Sequence, residues 1–269
     1  FSATATGTGI SYQWQVNTGS GFTNLTNVAP YTGSTTATLN IAGSPASLNG
    51  ATYRCVVNSS CGPAINSNPA LLTVNTAPVI VSGPVNVTLC EGSGTAFGVT
   101  ATGTALNYQW QVSTGGAYTN VINGGIYSGA TSNILNISTT TAAMNSYAYR
   151  VVVSGTCTPP VMASAQLLVQ TSPVINIQPV NTTVCAGTST NFSINAAGSN
   201  LNYQWQVDAG SGFTNVVNGG NYSGATTTVL AISATPATFN GYQYRCVITG
   251  SCTPIATSLV RTLTVNTLP

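Results

Sequence analysis

The chain has 269 residues, of which 43% are hydrophobic and only 2% are charged, with four arginines, two acidic residues and no histidine. Acid–base, nucleophilic and metal-assisted catalysis draw on His, Asp, Glu, Lys or an activated Cys held close together, and this sequence offers almost none of them. A net charge of +2 cannot neutralise a run of phosphates. We therefore expect no enzymatic activity, no cofactor, no nucleic-acid partner and no direct insertion into a membrane.

Three copies of one unit follow each other along the chain. The motif YQWQV occurs at 12–16, 108–112 and 203–207, and each copy closes with a similar segment, ALLTVNTAP, QLLVQTSP or TLTVNTLP. The proline that ends each closing segment, Pro78, Pro173 or Pro269, is typical of a hinge. We predict three domains at residues 1–76, 77–172 and 173–269, which are called the first, second and third repeat below.

The predicted elements follow the same order in every repeat. Short segments of alternating apolar and polar residues are separated by Gly, Asn, Ser or Pro clusters, a pattern that predicts antiparallel strands. A strand with a Trp comes early, a Leu-x-Ile strand follows, and a strand containing Tyr-x-Cys comes late, which is the order of an immunoglobulin-like sandwich. We predict an all-β chain of tandem immunoglobulin-like antiparallel β-sandwich domains.

Large aromatic residues recur at fixed places, and we expect them to form the core of each sandwich rather than a ligand site. They are Trp14, Trp110, Trp205, Tyr53, Tyr149 and Tyr244. The three tyrosines stand where this fold places its tyrosine corner. Phe1 aligns with Phe97 and Phe192, which stand seven residues after a cysteine. We therefore expect the first repeat to lack its first strand, and both ends of the chain to be cuts through a longer array.

Two of the seven cysteines lie on the late strand of a repeat, Cys55 in the first and Cys246 in the third. The partner that the fold usually provides on the facing sheet is missing, because Ala3 and Ile194 occupy its positions. The second repeat has Val151 in place of the late-strand cysteine. We expect Cys55 and Cys246 to be unpaired and buried as small hydrophobic residues.

The second repeat has only Cys90 and Cys157, and the third has Cys185 and Cys252 at the same places. We predict disulfides Cys90–Cys157 and Cys185–Cys252, and a partner for Cys61 outside the segment. Paired cysteines imply an oxidising compartment, so we expect an extracellular location. Zinc is the alternative, but the chain has no CxxC and no histidine, and we expect no metal site.

The surface strands carry Thr, Ser, Asn and Gln, without the lysines that normally prevent sheet edges from pairing. Self-association is therefore one hypothesis, and an inert coat for an exposed protein is the other. One charge recurs in every repeat, at Arg54, Arg150 and Arg245, and we interpret it as a solvated residue or a contact for an aromatic ring or partner. A second set of possible contacts consists of Phe22, Tyr118 and Phe213.

The combination of YQWQV, YSGATTTVLAI, NGYQYRCVITGSCTP and a terminal LTVN resembles the immunoglobulin-like repeats of very large secreted surface proteins of Bacteroidota. These are similar to gliding adhesins exported by the type IX system. The resemblance implies a cell-surface adhesin, stalk or filament, with surface glycans, other surface proteins or further copies as partners. The alternative is a carbohydrate-binding or spacer region of a secreted polysaccharide-degrading enzyme, with Phe22, Tyr118 and Phe213 as its platform.

Overall fold

The structure is a computed structural model that describes residues 1–267, so the hinge predicted at Pro269 lies outside the described residues. Within them, the regular structure is β-strand except for three single-turn 3₁₀ helices, and the all-β prediction is confirmed. The 3₁₀ helices are Ala46–Leu48, Ala142–Met144 and Ala237–Phe239. Thr, Val, Ile and aromatic residues favour strands, while the Gly and Asn clusters between them favour turns.

Backbone contacts divide the chain into two compact units. The first unit contains Phe1–Ser82, Thr100–Asn107 and Val152–Met162. The second contains Gly83–Val99, Tyr108–Val151 and the chain from Ala163 onward. This division does not coincide with the three sequence repeats, and the domain boundaries near 76 and 172 stay a prediction.

The first repeat contributes seven short strands. They are β1 (Ser11–Asn17), β2 (Thr23–Asn24), β3 (Tyr31–Thr32), β4 (Asn40–Ile41), β5 (Thr52–Asn58), β6 (Ile65–Asn66) and β7 (Ala70–Leu71). One sheet has the order β2-β1-β5-β6, with β7 also paired to β5, and β3 pairs with β4. In the antiparallel pair of β1 and β5, Trp14 faces Cys55.

The second repeat begins with two strands that have no counterpart in residues 1–76. Its strands are β8 (Val79–Ser82), β9 (Val87–Cys90), β10 (Thr95–Gly98), β11 (Thr100–Thr102), β12 (Asn107–Ser113), β13 (Thr119–Asn120), β14 (Tyr127–Ser128), β15 (Ile134–Ile137), β16 (Ala148–Ser154) and β17 (Val161–Gln170). The sheets have the orders β13-β12-β16-β17-β9 and β10-β15-β14, and β8 pairs with β11. Strand β9 runs parallel to the end of β17.

The third repeat has the same arrangement. Its strands are β18 (Val174–Ile177), β19 (Thr182–Cys185), β20 (Thr190–Ser193), β21 (Asn195–Ala197), β22 (Asn202–Asp208), β23 (Phe213–Asn215), β24 (Tyr222–Ser223), β25 (Val229–Ile232), β26 (Gln243–Thr249), β27 (Ala256–Thr257) and β28 (Arg261–Asn266). The sheets are β19-β28-β26-β22-β23 and β20-β25-β24, with β27 paired to β26 and β18 to β21. Strand β19 runs parallel to β28, as β9 runs parallel to β17 in the second repeat.

The core of each repeat is built around its tryptophan. The structure buries all six aromatic residues expected in the core, from 0% to 3% exposed. Each indole donates a hydrogen bond to a backbone carbonyl 22 residues later, as from Trp110 to Ser132 at 2.9 Å. That carbonyl closes the turn from Gly129 to Ser132, where Gly129 has a φ of 79° and leaves no room for a Cβ against Ile134. The recurring glycine thus allows the turn that satisfies the buried indole.

Candidate functional site

A disulfide joins two consecutive repeats. Cys90, at the end of β9 in the second repeat, is bonded to Cys252 in the turn after β26 of the third. The two Cα atoms are 5.8 Å apart, and the bond spans a sequence separation of 162 residues. Cys252 is 2% exposed. The disulfide therefore links two consecutive repeats covalently and does not lie within a single sandwich.

The predicted pairs Cys90–Cys157 and Cys185–Cys252 are wrong, and the parallel pairing of the opening strand explains why. In the third repeat, β19 runs parallel to β28, so Cys185 lies opposite Asn266 at the end of the last strand. Cys252 stands in the turn that precedes β27 and β28, near the other end of this strand. Six residues of strand span about 20 Å, far more than a disulfide bridges. Cys90 is placed in the same way, opposite Gln170.

The linker into the third repeat is held by hydrogen bonds next to this disulfide. The N–H of Thr171 donates to the Ser199 hydroxyl at 3.0 Å, and the N–H of Ser199 donates to the Thr171 carbonyl at 3.1 Å. The Ser172 hydroxyl donates to the carbonyl of Thr253, the residue after Cys252, at 2.6 Å. Pro173 is buried beside them. These contacts oppose bending at the linker.

The equivalent linker into the second repeat makes matching contacts. The N–H of Thr76 donates to the Thr104 hydroxyl at 2.9 Å, and the N–H of Thr104 donates to the Thr76 carbonyl at 3.1 Å. Pro78 is buried, as Pro173 is. Pro78 and Pro173 therefore each belong to a packed, hydrogen-bonded connection, although the sequence suggested a hinge.

The five other cysteines are free. Cys61 and Cys185 are exposed, Cys157 is half-buried, and Cys55 and Cys246 are buried. The N–H of Cys246 donates to the Ser258 hydroxyl at 2.8 Å, and burial raises the pKa of its thiol to about 11. Burial also raises the pKa of the Cys55 thiol. The two late-strand thiols are thus protonated packing residues, whereas the other three remain accessible.

The recurring arginine lies over the recurring aromatic ring of its own repeat. The guanidinium carbon is 4.1 Å from the ring centroid for Arg54 over Phe22, 4.1 Å for Arg150 over Tyr118 and 4.0 Å for Arg245 over Phe213. Both groups of candidate contacts are therefore used inside each repeat. One face of each ring is covered by its arginine and is not open as a flat platform for a sugar.

The second glutamine of YQWQV positions that arginine. In the third repeat, Gln206 accepts a hydrogen bond from Arg245 Nε at 2.8 Å and donates to Asn215 at 2.9 Å. The equivalent Arg–Gln bonds are 2.7 Å in the first repeat and 2.6 Å in the second. The sequence contained a signal for this ladder, because the Arg and Gln are separated by 39 residues in every repeat.

Each core tyrosine bonds to a second tyrosine that the sequence analysis did not single out. The hydroxyl oxygens are 3.1 Å apart for Tyr31 and Tyr53, and the equivalent pairs in the other repeats, Tyr127 with Tyr149 and Tyr222 with Tyr244, are 2.9 Å apart. A tyrosine corner bonds to the backbone instead, so the corner interpretation is replaced by a tyrosine pair. Burial, followed by the hydrogen bond, raises the pKa of Tyr53, Tyr149 and Tyr244 well above the usual value.

Residues 1–267 provide neither a metal-binding cluster nor a membrane-spanning helix. No group of three or more His, Cys, Asp or Glu side chains in that range could hold a metal ion. No helix in the same range is long and apolar enough to cross a membrane. The features that remain are the disulfide, the linkers and the sheet edges.

Comparison with solved structures relates the chain to arrays of immunoglobulin domains. A three-domain I-band fragment of titin aligns with 95% of this chain and 88% of its own length, at a TM-score of 0.65 and 15% identity. The N-terminal eight Ig domains of Down Syndrome Cell Adhesion Molecule align with 94% of this chain and 33% of their own length, at a TM-score of 0.60 and 16% identity. At such low identity the likeness concerns the fold alone.

No family model matches the sequence. Among curated proteins, Endoglucanase C of Cellulomonas fimi is 37% identical over 94 residues, which is 35% of this chain and 8% of that protein. The matched length is close to one repeat, and the chain covers a small part of that relative. The strand order, the antiparallel sheets and the solved structures together show that this chain is a tandem immunoglobulin-like β-sandwich protein.

Proposed function

We propose that the chain is a non-enzymatic, extracellular structural segment of a bacterial cell-surface stalk, adhesin or filament, of the kind found in Bacteroidota surface proteins. The observation that carries this proposal is the disulfide between Cys90 and Cys252. A disulfide persists in an oxidising compartment, which favours a location outside the cell. A bond between consecutive repeats, rather than within one, suits a segment whose role is to keep length and withstand tension.

The disulfide shortens the covalent path along which an external pulling force is transmitted. When the chain is pulled from its ends, tension passes from Cys90 directly to Cys252, and residues 91–251 lie in a covalently closed loop. Strands β10 to β26 belong to that loop and bear no end-to-end covalent load. The hydrogen-bonded linker at Thr171 and Ser172 lies within the same loop. Most of the second and third repeats are therefore shielded from stretching.

Single-molecule pulling with and without a reductant tests the proposal. At about 3.5 Å per extended residue, the oxidised chain should extend to at most about 380 Å while the disulfide is intact, against about 940 Å after reduction. A Cys252→Ser variant should behave as reduced under both conditions. A Cys61→Ser variant is the matched control, because Cys61 is exposed and free, and it should behave as the unsubstituted chain does. Equal extension of the oxidised and the reduced chain would exclude a mechanical role for the disulfide.

The second candidate is a spacer or carbohydrate-binding region of a secreted polysaccharide-degrading enzyme. The similarity to Endoglucanase C favours it. The capped rings favour the spacer over the binding region, because Arg54, Arg150 and Arg245 already cover one face of the aromatic side chains. Sedimentation of the chain with insoluble cellulose would distinguish the two. Retention that is lost on Phe213→Ala, with Val217→Ala as the exposed control, would support carbohydrate binding instead of a purely structural role.

A further inference from the structure

We infer that each repeat carries a binding site for one carboxylate of an acidic polysaccharide, built on its recurring arginine. The site, called the arginine site below, consists of an arginine, an aromatic ring, a glutamine and an asparagine. From the first repeat to the third, these are Arg54, Phe22, Gln15 and Asn24; Arg150, Tyr118, Gln111 and Asn120; and Arg245, Phe213, Gln206 and Asn215. The inference does not depend on the mechanical role of the disulfide.

The guanidinium of each arginine is held in one orientation. In the third repeat, the ring of Phe213 lies 4.0 Å from the guanidinium carbon of Arg245, and Arg245 Nε donates to Gln206 at 2.8 Å. Arg245 is half-buried. Since the ring and the glutamine already restrict the side chain, a ligand that binds it loses less free energy in ordering the arginine.

The outer end of the guanidinium is free to bind a ligand. Within residues 1–267, Nη1 and Nη2 of Arg54, Arg150 and Arg245 make no hydrogen bond to another residue, because only Nε is used. None of these nitrogens is buried without a partner, so all of them are accessible to solvent. Nη1 and Nη2 together form a planar fork that matches the two oxygens of a carboxylate.

The amides beside the arginine contribute a further donor rather than an acceptor. Gln206 Oε1 accepts from Arg245, and Gln206 Nε2 donates to Asn215 Oδ1 at 2.9 Å. The corresponding bond from glutamine to asparagine is 2.8 Å in each of the other two repeats. In the described part of the chain, Nδ2 of these asparagines makes no hydrogen bond to another residue. The arginine site therefore offers N–H donors, and its complement is a ligand with many oxygen acceptors.

The two kinds of donor are close enough to contact one sugar residue. Phe213 and Asn215 are two residues apart on β23, so their side chains leave the same face of the sheet about 7 Å apart. The guanidinium lies over Phe213. A uronic acid whose carboxylate binds the guanidinium can therefore place a ring hydroxyl at Asn215.

The position of the site favours a polysaccharide over a peptide or a nucleic acid. Arg245 and Gln206 lie on β26 and β22, which are paired on both sides, so a ligand meets side chains on the sheet face and not the unpaired backbone that extended peptides bind. Nucleic acids require several cations in a row, whereas each arginine site has one. A polysaccharide with many carboxylates can also engage more than one repeat.

One carboxylate of the chain itself distinguishes the third repeat from the first. Asp208 lies opposite Phe213 in the pairing of β22 with β23, and Asn17 is its counterpart in the first repeat. Oδ1 of each residue accepts hydrogen bonds from two glycine N–H groups in the following loop. Asp208→Asn and Asn17→Asp therefore change the charge beside the arginine site and keep the loop. A negative charge there opposes a carboxylate ligand, so the third site should be weaker than the first.

The test measures binding of the 269-residue chain to immobilised polygalacturonate by surface plasmon resonance. The fully methyl-esterified polymer is the matched control, because it has the same sugar backbone without the charge. We expect the acid form to bind about tenfold or more tightly than the ester, since it offers charge-assisted hydrogen bonds. Equal binding of the two polymers would overturn the inference. Tighter binding of polyglutamate or of dextran sulfate would overturn the assignment to a carboxylated polysaccharide.

Substitution of the arginine tests whether the site, rather than the net charge, binds the polymer. Arg54→Gln should weaken binding to polygalacturonate about tenfold. Arg261→Gln removes the same charge outside the arginine sites, where Nε donates to the Pro179 carbonyl, and should leave binding unchanged. Arg54→Lys keeps the charge without the fork and should also bind more weakly. Melting temperatures report whether the variants are folded, and equal losses in Arg54→Gln and Arg261→Gln would overturn the inference.

The charge next to the ring provides a test in both directions. Asp208→Asn should tighten binding to polygalacturonate, and Asn17→Asp should weaken it, because each changes the repulsion of the bound carboxylate. Neither substitution touches the arginine or its stack. If both leave binding unchanged, the carboxylate does not bind at the arginine sites.

Discussion

The junction between the second and third repeats and the bodies of the repeats are held by different bonds, and two cysteines illustrate the contrast. Cys252 lies in a turn and is bonded to the preceding repeat, whereas Cys246, on the strand before it, is 0% exposed and free. Cys246 contributes packing that a valine provides in the second repeat. Covalent chemistry is thus reserved for the connection, and the sandwiches rely on a recurring set of hydrogen bonds and apolar contacts.

The largest loss of stability should come from removing the disulfide between the repeats. With a sequence separation of 162 residues, the chain-entropy relation gives about 4–5 kcal/mol of stabilisation from the Cys90–Cys252 bond. We expect Cys252→Ser to lower the free energy of unfolding by up to this amount, measured by urea denaturation without reductant. Cys185→Ser should leave it unchanged, since Cys185 is exposed and free. A loss of equal size in both variants would contradict the comparison.

A smaller effect is expected from the buried cysteine. Cys246→Val should change the free energy of unfolding by less than about 1.5 kcal/mol, because the second repeat has Val151 in the same place at 0% exposure. Cys246→Ser should cost about 1–3 kcal/mol, since it buries a hydroxyl in an apolar site. Urea denaturation of the two variants measures both values. If Cys246→Val is as damaging as Cys252→Ser, packing and covalent bonding are not distinct roles.

The fold was predictable because its signals are local and repeated, whereas the disulfide was not. Alternation, turn residues and the Trp and Tyr positions follow from nearest neighbours along the chain. The parallel pairing of β9 with β17 joins residues about 80 positions apart. The alternation of apolar and polar residues along the chain does not indicate which distant strands pair. Without that pairing, Cys90 was placed beside the wrong turn. The stacking of arginine on an aromatic ring and the tyrosine pairs were also visible only in the structure, since each joins two motifs that the sequence shows only separately.

A pH effect should separate the buried thiol from the exposed ones. Burial raises the pKa of Cys246 to about 11, so the folded state retains its proton after an unfolded cysteine, with a pKa near 8.5, has ionised. This contribution to stability is present below about pH 8.5 and is lost as the pH rises towards 11. Thiol labelling of the folded chain should modify Cys185 readily at pH 9 and leave Cys246 unmodified. In the Cys246→Val variant, the alkaline loss of stability should be smaller but not absent, because the buried tyrosines also have raised pKa values.

The smallest effect on stability is expected from the arginine, glutamine and aromatic side chains that contact one another on the surface of each repeat. Arg245 stacks on Phe213 and donates to Gln206 at a partly exposed site, where such a cation–π contact contributes about 0.5–1 kcal/mol. Arg245→Lys keeps the charge but cannot form the same planar stack, so it should lose most of that energy in urea denaturation. Arg261 is the matched control, because its Nε donates to the Pro179 carbonyl and not to the ladder. In a double-mutant cycle, Phe213→Leu should remove the cost of Arg245→Lys and leave the cost of Arg261→Lys as it was. Additive costs for Arg245 and Phe213 would mean that the arginine is solvated and that the stack contributes nothing to the body of the repeat.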